Sequence, residues 1–224
     1  MKIVAKLVAF AVVGLLVLGL LLFVPAGTFD YWQAWLFIVV FVVSTWSPSV
    51  YLLRTNPAAL QRRMRGGPMA EPRTLQKLII AFSFFSLFAM VVVSVLDHRF
   101  GWSSVPATIS VVGDILVAAG LGVAMLVVFQ NSYAAATVQV EADQKLVSTG
   151  LYGLVRHPMY TGNVLMMLGI PLALGSYWGL VFVILGSIVL ALRIRDEERL
   201  LTQELAGYGE YMQDVHYRLV PYVW

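Results

Sequence analysis

The chain has no cysteine. That excludes disulfides, thiolate metal sites and a cysteine nucleophile, though it leaves the redox compartment open. Charge is also scarce: Asp, Glu, Lys and Arg together make up 12% of 224 residues. A soluble domain carries about a quarter, so too few charges remain to cover a surface facing water. The usual soluble-enzyme signatures are missing as well. There is no GxGxxG after a strand, no GxxxxGK[ST], no HExxH and no GxSxG. Classes of enzyme built on those loops are thereby set aside.

What remains is apolar. Hydrophobic residues make up 60% of the chain, mean hydropathy is +0.83, and the apolar residues fall in runs of about the twenty needed to cross the hydrocarbon. The net charge of +3 and isoelectric point near 9.2 do not indicate nucleic acid, because the basic residues lie between apolar runs, where the positive-inside rule puts them. The fold expected is all-α: a polytopic transmembrane bundle of four spans, then a C-terminal helical hairpin and an amphipathic exit helix. Residues 1–130 hold the four spans; residues 131–224 form the second block.

The four spans are drawn at 3–24, 34–53, 78–96 and 108–130. The first is longer than the 7–15 residues of a signal-peptide core and is read as retained. Between spans two and three, Arg54, Arg62, Arg63, Arg65, Arg73 and Lys77 face a single acid, Glu71. This asymmetry puts the 54–77 loop, and with it both termini, in the cytoplasm. A short interfacial helix through Ala58–Arg65 is expected there, its cations set against lipid headgroups. The run 161–192 is too long for one straight span and is interrupted by Pro171, Gly175, Ser176 and Gly179. A hairpin bending near Pro171–Ser176 returns Arg156–His157 and Arg193–Glu198 to one face of the membrane.

Two polar clusters stand out. Leu146–Gly162 reads LVSTGLYGLVRHPMYTG, with Pro158 suited to a first helical turn. Free N–H groups at that helix start, beside Arg156 and His157, suit an anion, and Tyr152 and Tyr160 offer aromatic faces. The second cluster, RIRDEER over 193–199, ends the apolar hairpin. Ionisable groups at such depth tend to face a cavity. Each cluster is equally compatible with a plain interfacial belt, or with a solvated exit helix paired Glu to Arg. His98, in a short outer loop, and His216 are assigned no role.

Taken together, RHPMY, GIPLALGS, RDEE, a GxxEY and a terminal RLVP resemble the isoprenylcysteine carboxyl methyltransferase family, itself similar to the phospholipid N-methyltransferases. The resemblance covers 139–224. It implies an S-adenosyl-L-methionine-dependent methyltransferase in a multi-pass membrane protein, with its site on the cytoplasmic face. The cofactor pocket it implies holds Leu146, Val147, Tyr152, His157 and Tyr160, a glutamate that is Glu197 or Glu198, and Gln139. An arginine facing substrate is implied at Arg195, with Arg193 as the neighbouring choice. No metal is implied. The acceptor is expected to be a lipophilic carboxylate arriving from the bilayer, since a carboxylate nucleophile needs no base and none is evident. Amine, phospholipid and thiol acceptors remain alternatives. So do a sterol-reductase-like enzyme with a nicotinamide cofactor and a non-enzymatic membrane scaffold.

Overall fold

In this computed structural model, residues 2–64, 73–134 and 144–224 are described. They form eight α-helices with no strand among the described residues: α1 Lys2–Ala26, α2 Trp32–Thr55, α3 Pro57–Met64, α4 Thr74–Phe100, α5 Ala107–Gln130, α6 Pro158–Ala173, α7 Val181–Glu204 and α8 Tyr208–Asp214. Four helices match the four drawn spans, each running further at one or both ends, and α3 falls on the expected interfacial segment. Among the described residues, five helical stretches are long and apolar enough to cross a membrane: α1, α2, α4, α5 and 178–204. The expected exit helix is no separate element. It is the polar continuation of α7, which runs unbroken to Glu204.

The hairpin is formed by α6 and α7. Helix α6 has 16 residues, about 24 Å at the usual rise, which is shorter than the roughly 30 Å hydrocarbon thickness. It begins with Pro158 at its first turn and turns back after Ala173 through Gly175, whose φ of +73° favours glycine.

Helix α6 packs along α5, and α7 along α4. Apolar helices gain little hydrophobic driving force from association inside lipid, so close backbone approach has to supply the contact. Here glycines spaced two turns apart on each helix meet: Gly113 and Gly120 on α5, Gly162 and Gly169 on α6. A Cβ at Gly162 would sit 2.5 Å from the Gly120 carbonyl oxygen, and one at Gly169 2.6 Å from that of Gly113. By contrast α1 and α2 keep long apolar faces exposed, as lipid-facing spans do.

Polar anchors hold the two ends. At the hairpin turn, buried Asp97 accepts from the Ser176 hydroxyl (2.6 Å), the Ser103 hydroxyl (2.6 Å) and the Ser103 N–H (2.6 Å). Tyr31 donates to the Leu174 carbonyl at 2.6 Å and stacks on His98, ring centroids 3.7 Å apart. His98 therefore lies in the last turn of α4, inside the helix, and not in a loop. At the other end, Asp196 of α7 takes an amide hydrogen from Gln76 and an ion pair from Arg73 at 2.7 Å. Arg73, expected among the headgroup cations, thus ties the start of α4 to α7.

The glycine seam yields a stability prediction. Gly169→Leu forces α5 and α6 apart and should destabilise the purified protein by about 1–3 kcal/mol or more, read as a lowered thermal midpoint in detergent. Gly122→Leu, whose Cβ would meet nothing within 4 Å, should leave the midpoint near that of the parent.

Candidate functional site

The end of the bundle opposite the hairpin turn is organised by one carboxylate. Glu198 Oε1 accepts from Arg156 Nε at 2.8 Å and lies 3.3 Å from His157 Nε2; its Oε2 accepts from Arg218 Nε at 2.9 Å. The start of α6, the exit of α7 and the C-terminal tail therefore share one ion cluster. Backbone bonds continue the link. Arg156 N–H donates to Tyr217 O (2.8 Å) and His157 N–H to Arg218 O (2.9 Å). The Arg156 guanidinium also donates to the carbonyls of Val215 (2.7 Å) and His216 (2.9 Å).

The charges beside the helix start already have internal partners: Glu198 pairs with the Arg156 and His157 side chains, and tail carbonyls take their two backbone N–H groups. Their side chains are buried for that reason, Arg156 at 6% and His157 at 5% exposure.

Around this cluster lies a small, partly open cavity of about 100 Å³. Leu146, Val147, Tyr152, His157, Tyr160 and Glu197 all line it. Glu198 does not; it stands behind His157 as that residue's partner. Gln139 lies outside the described residues. Arg195 is exposed on the outer face of α7 and lines a different, open groove with Arg199, Gln203 and Arg218. The arginine that reaches the site is its neighbour. Arg193, buried, donates from Nε to the Tyr160 hydroxyl at 2.8 Å and from its guanidinium to Gln76 Oε1 at 3.4 Å. Tyr160 in turn donates to Glu197 Oε2 at 2.5 Å.

Several lining residues were not singled out from the sequence: Asn131 and Tyr133 after α5, Leu201 and Leu205 on α7, and Tyr208 and Tyr211 on α8. The last two are the tyrosines that follow Gly207 in the GxxEY stretch, so a signal was present. Helix α8 folds back over the cavity because Tyr211 donates to the Tyr152 carbonyl at 2.7 Å and because Leu205, Tyr208, Tyr211 and Val215 cluster with Leu146. Burial pushes the Tyr152 hydroxyl up to about 12 and raises those of Tyr208 and Tyr211 further. All three remain protonated donors at neutral pH. Tyr152 meets the side-chain amide of Asn131 at 3.2 Å, whereas the buried Tyr208 hydroxyl has no hydrogen-bond partner among the described residues. An orphaned buried donor on a cavity wall is what a polar ligand would satisfy.

A second cavity adjoins the first between α4, α6 and α7. Its walls are mainly apolar (Ile80, Phe84, Leu87, Met166, Met167 and Leu190), and Arg193, Asn163, Tyr160, Ser83 and Ser86 are its polar residues. Met159 and Tyr160 line both cavities and form the partition between them.

The ion cluster can be tested directly. Glu198→Gln strands a buried guanidinium and should destabilise the protein by about 3–5 kcal/mol, read as loss of thermal stability with or without ligand. Arg195→Ala, at an exposed position with no side-chain partner among the described residues, should leave stability unchanged.

Parts of the chain are similar to known proteins. Delta(14)-sterol reductase TM7SF2 of Mus musculus is 32% identical over 91 residues, 39% of this chain and 22% of that relative, so the match spans about a fifth of its length. The phospholipid methyltransferase family matches residues 108–209, the stretch from α5 to the start of α8 that builds the partition and most of the polar cavity. Over those residues the chain is similar to the phospholipid methyltransferase family.

Proposed function

We propose that the protein is an integral-membrane methyltransferase that takes its methyl group from S-adenosyl-L-methionine and passes it to a lipophilic acceptor, most simply a carboxylate of the isoprenylcysteine type. The observation that carries this reading is the pair of adjoining cavities, one polar and one apolar, divided by Tyr160 and Met159.

The residues of the polar cavity fit such a cofactor. When bound, the cofactor supplies an electrophilic methyl on a sulfonium. Glu197 offers a carboxylate for an ammonium or ribose hydroxyls, and the tyrosine faces suit a cation or a flat base. The unpartnered Tyr208 hydroxyl offers a donor for a carboxylate or ring nitrogen. Leu146, Val147, Leu201 and Leu205 supply apolar wall. Glu198 acts at one remove, fixing His157 and the tail.

On the other side, the apolar cavity suits a hydrocarbon chain, and Arg193 suits an anionic head. Methyl transfer is an in-line displacement, so the chain's contribution is alignment and exclusion of water. The rigid Gln76–Arg193–Tyr160–Glu197 chain of hydrogen bonds supplies alignment. A carboxylate acceptor arrives ionised and requires no base. An amine acceptor would require one, and Glu197, hydrogen-bonded to Tyr160, is the carboxylate nearest the partition.

A second reading is favoured by the similarity to the mouse sterol reductase: a reductase using a nicotinamide cofactor in the same polar cavity. Equilibrium binding of radiolabelled S-adenosyl-L-methionine to detergent-purified protein, with NADPH as competitor, separates the two. Binding that NADPH leaves untouched is expected; no binding of the first and saturable binding of NADPH would overturn the proposal. Glu197→Gln and Tyr160→Phe should each weaken cofactor binding by about tenfold or more, the size of a lost charge-assisted hydrogen bond. Arg193→Lys should leave cofactor binding within a few-fold and instead lower acceptor affinity or turnover, the split that kinetic constants resolve.

A further inference from the structure

Arg195 and Arg199 are left without work by the cavities, yet their placement is regular. The exposed apolar residues of α7 include Val181, Leu185, Ile188 and Leu192, which fall on one helical face at spacings of three and four. The next two positions on that face are Arg195 and Arg199. The stripe that α7 turns to lipid therefore ends in two guanidiniums, about 4 and 10 Å beyond Leu192 at the helical rise. The headgroup layer occupies roughly 5–8 Å on each side of the hydrocarbon, so with Leu192 at the hydrocarbon edge Arg195 falls within that layer and Arg199 at its water-facing margin.

A third cation joins from another element. Arg218 of the tail lines the same groove, together with Thr202, Gln203, Met212 and Glu198. It is held in place by Glu198 at 2.9 Å and by the Trp224 ring, 5.4 Å from its guanidinium carbon to the ring centroid. The groove's one carboxylate, Glu198, is already shared among Arg156, His157 and Arg218 and does not cancel Arg195 or Arg199. Neither of those has a side-chain partner among the described residues. The Thr202 hydroxyl is turned inward to the Glu198 carbonyl at 2.7 Å, which leaves the guanidiniums as the recognising groups. Simple snorkelling of a helix-end arginine needs one cation spread over water. Here three converge on one concavity from two elements.

We propose that this groove is a binding site for the phosphodiester headgroup of an anionic bilayer lipid, lying outside both cavities of the methyl-transfer site. The bilayer is the source because the groove is continuous with the lipid-facing stripe of α7, so that acyl chains can lie along Leu192, Ile188 and Leu185 while the phosphate meets Arg195, Arg199 and Arg218.

The test uses the full chain in detergent, titrated with phosphatidylglycerol or phosphatidylcholine of matched acyl chains and read by native mass spectrometry. The parent should retain phosphatidylglycerol at least about tenfold more tightly. The double variant Arg195→Gln/Arg199→Gln, which keeps much of each apolar stem, should lose that preference by up to about thirtyfold, the effect of two cations at a membrane surface. Arg195→Lys/Arg199→Lys should keep most of it. Excess glycerol 3-phosphate should not displace the lipid. Unchanged phosphatidylglycerol retention in the glutamine variant would overturn the proposal, and so would full displacement by glycerol 3-phosphate. The readout is independent of S-adenosyl-L-methionine, so failure here is distinct from failure of the methyltransferase reading.

Discussion

The site end of the molecule depends on Glu198. A carboxylate at 5% exposure is expensive to hold unless its lone pairs are filled, and here two guanidiniums and the His157 imidazole, from two other segments, fill them. Because Arg156 and His157 begin α6, Glu198 ends the hairpin and Arg218 belongs to the tail, satisfying this one group orders three chain segments that are remote in sequence. The tail then takes the backbone N–H groups of 156 and 157, and the orientation of His157 toward the polar cavity follows. Coulombic attraction inside a protected environment is strong and directional, which is how a helix pair with few direct contacts of its own can have a well-defined base.

The bilayer explains why polar anchoring is confined to the two ends. Within lipid, α5 and α6 approach through glycines, and no hydrophobic gain distinguishes one helix rotation from another. Rotation and depth are instead set where water and headgroups begin: by Asp97 with Ser103 and Ser176 at the turn, and by Asp196 with Gln76 and Arg73 at the site end. Each acid takes partners from a different segment, so each is a register pin, and for the buried Asp97 those partners also satisfy the carboxylate.

Much of the bundle was legible because hydropathy in a membrane chain is nearly a direct record of span position. The hairpin was legible from Pro171, Gly175 and the return of two polar clusters. The convergence of Tyr152, His157 and Tyr160 with Glu197 on one cavity was legible only through the RHPMY and RDEE motifs, since sequence separation carries no distance. Side-chain direction was the weak point. Arg193 and Arg195 are two residues apart and so point some 200° apart on a helix, and motif spacing that slips by a residue or two selects the wrong face. Glu197 and Glu198 pose the same problem: adjacent acids diverge by about 100°, one toward the cavity and one toward Arg156. The internal partners of Arg156 and His157 were illegible for a related reason, because the carboxylate and the tail carbonyls that hold them come from residues 198–218.

The partition formed by Tyr160 and Met159 is where these constraints meet. Tyr160 receives a hydrogen bond from Arg193 and donates one to Glu197, so a single hydroxyl reports to both cavities. A residue so placed cannot be adjusted for one cavity without disturbing the other, since moving its ring shifts both the carboxylate that faces the polar side and the guanidinium that faces the apolar side. His157 stacks beside it, ring centroids 5.6 Å apart, and Glu198 fixes His157. The position of the dividing wall is therefore set from outside both cavities, by the ion cluster. Rigidity at that wall matters for any transfer between a polar donor and an apolar acceptor, because alignment of the reacting atoms is what the protein contributes when it supplies no base and no nucleophile of its own.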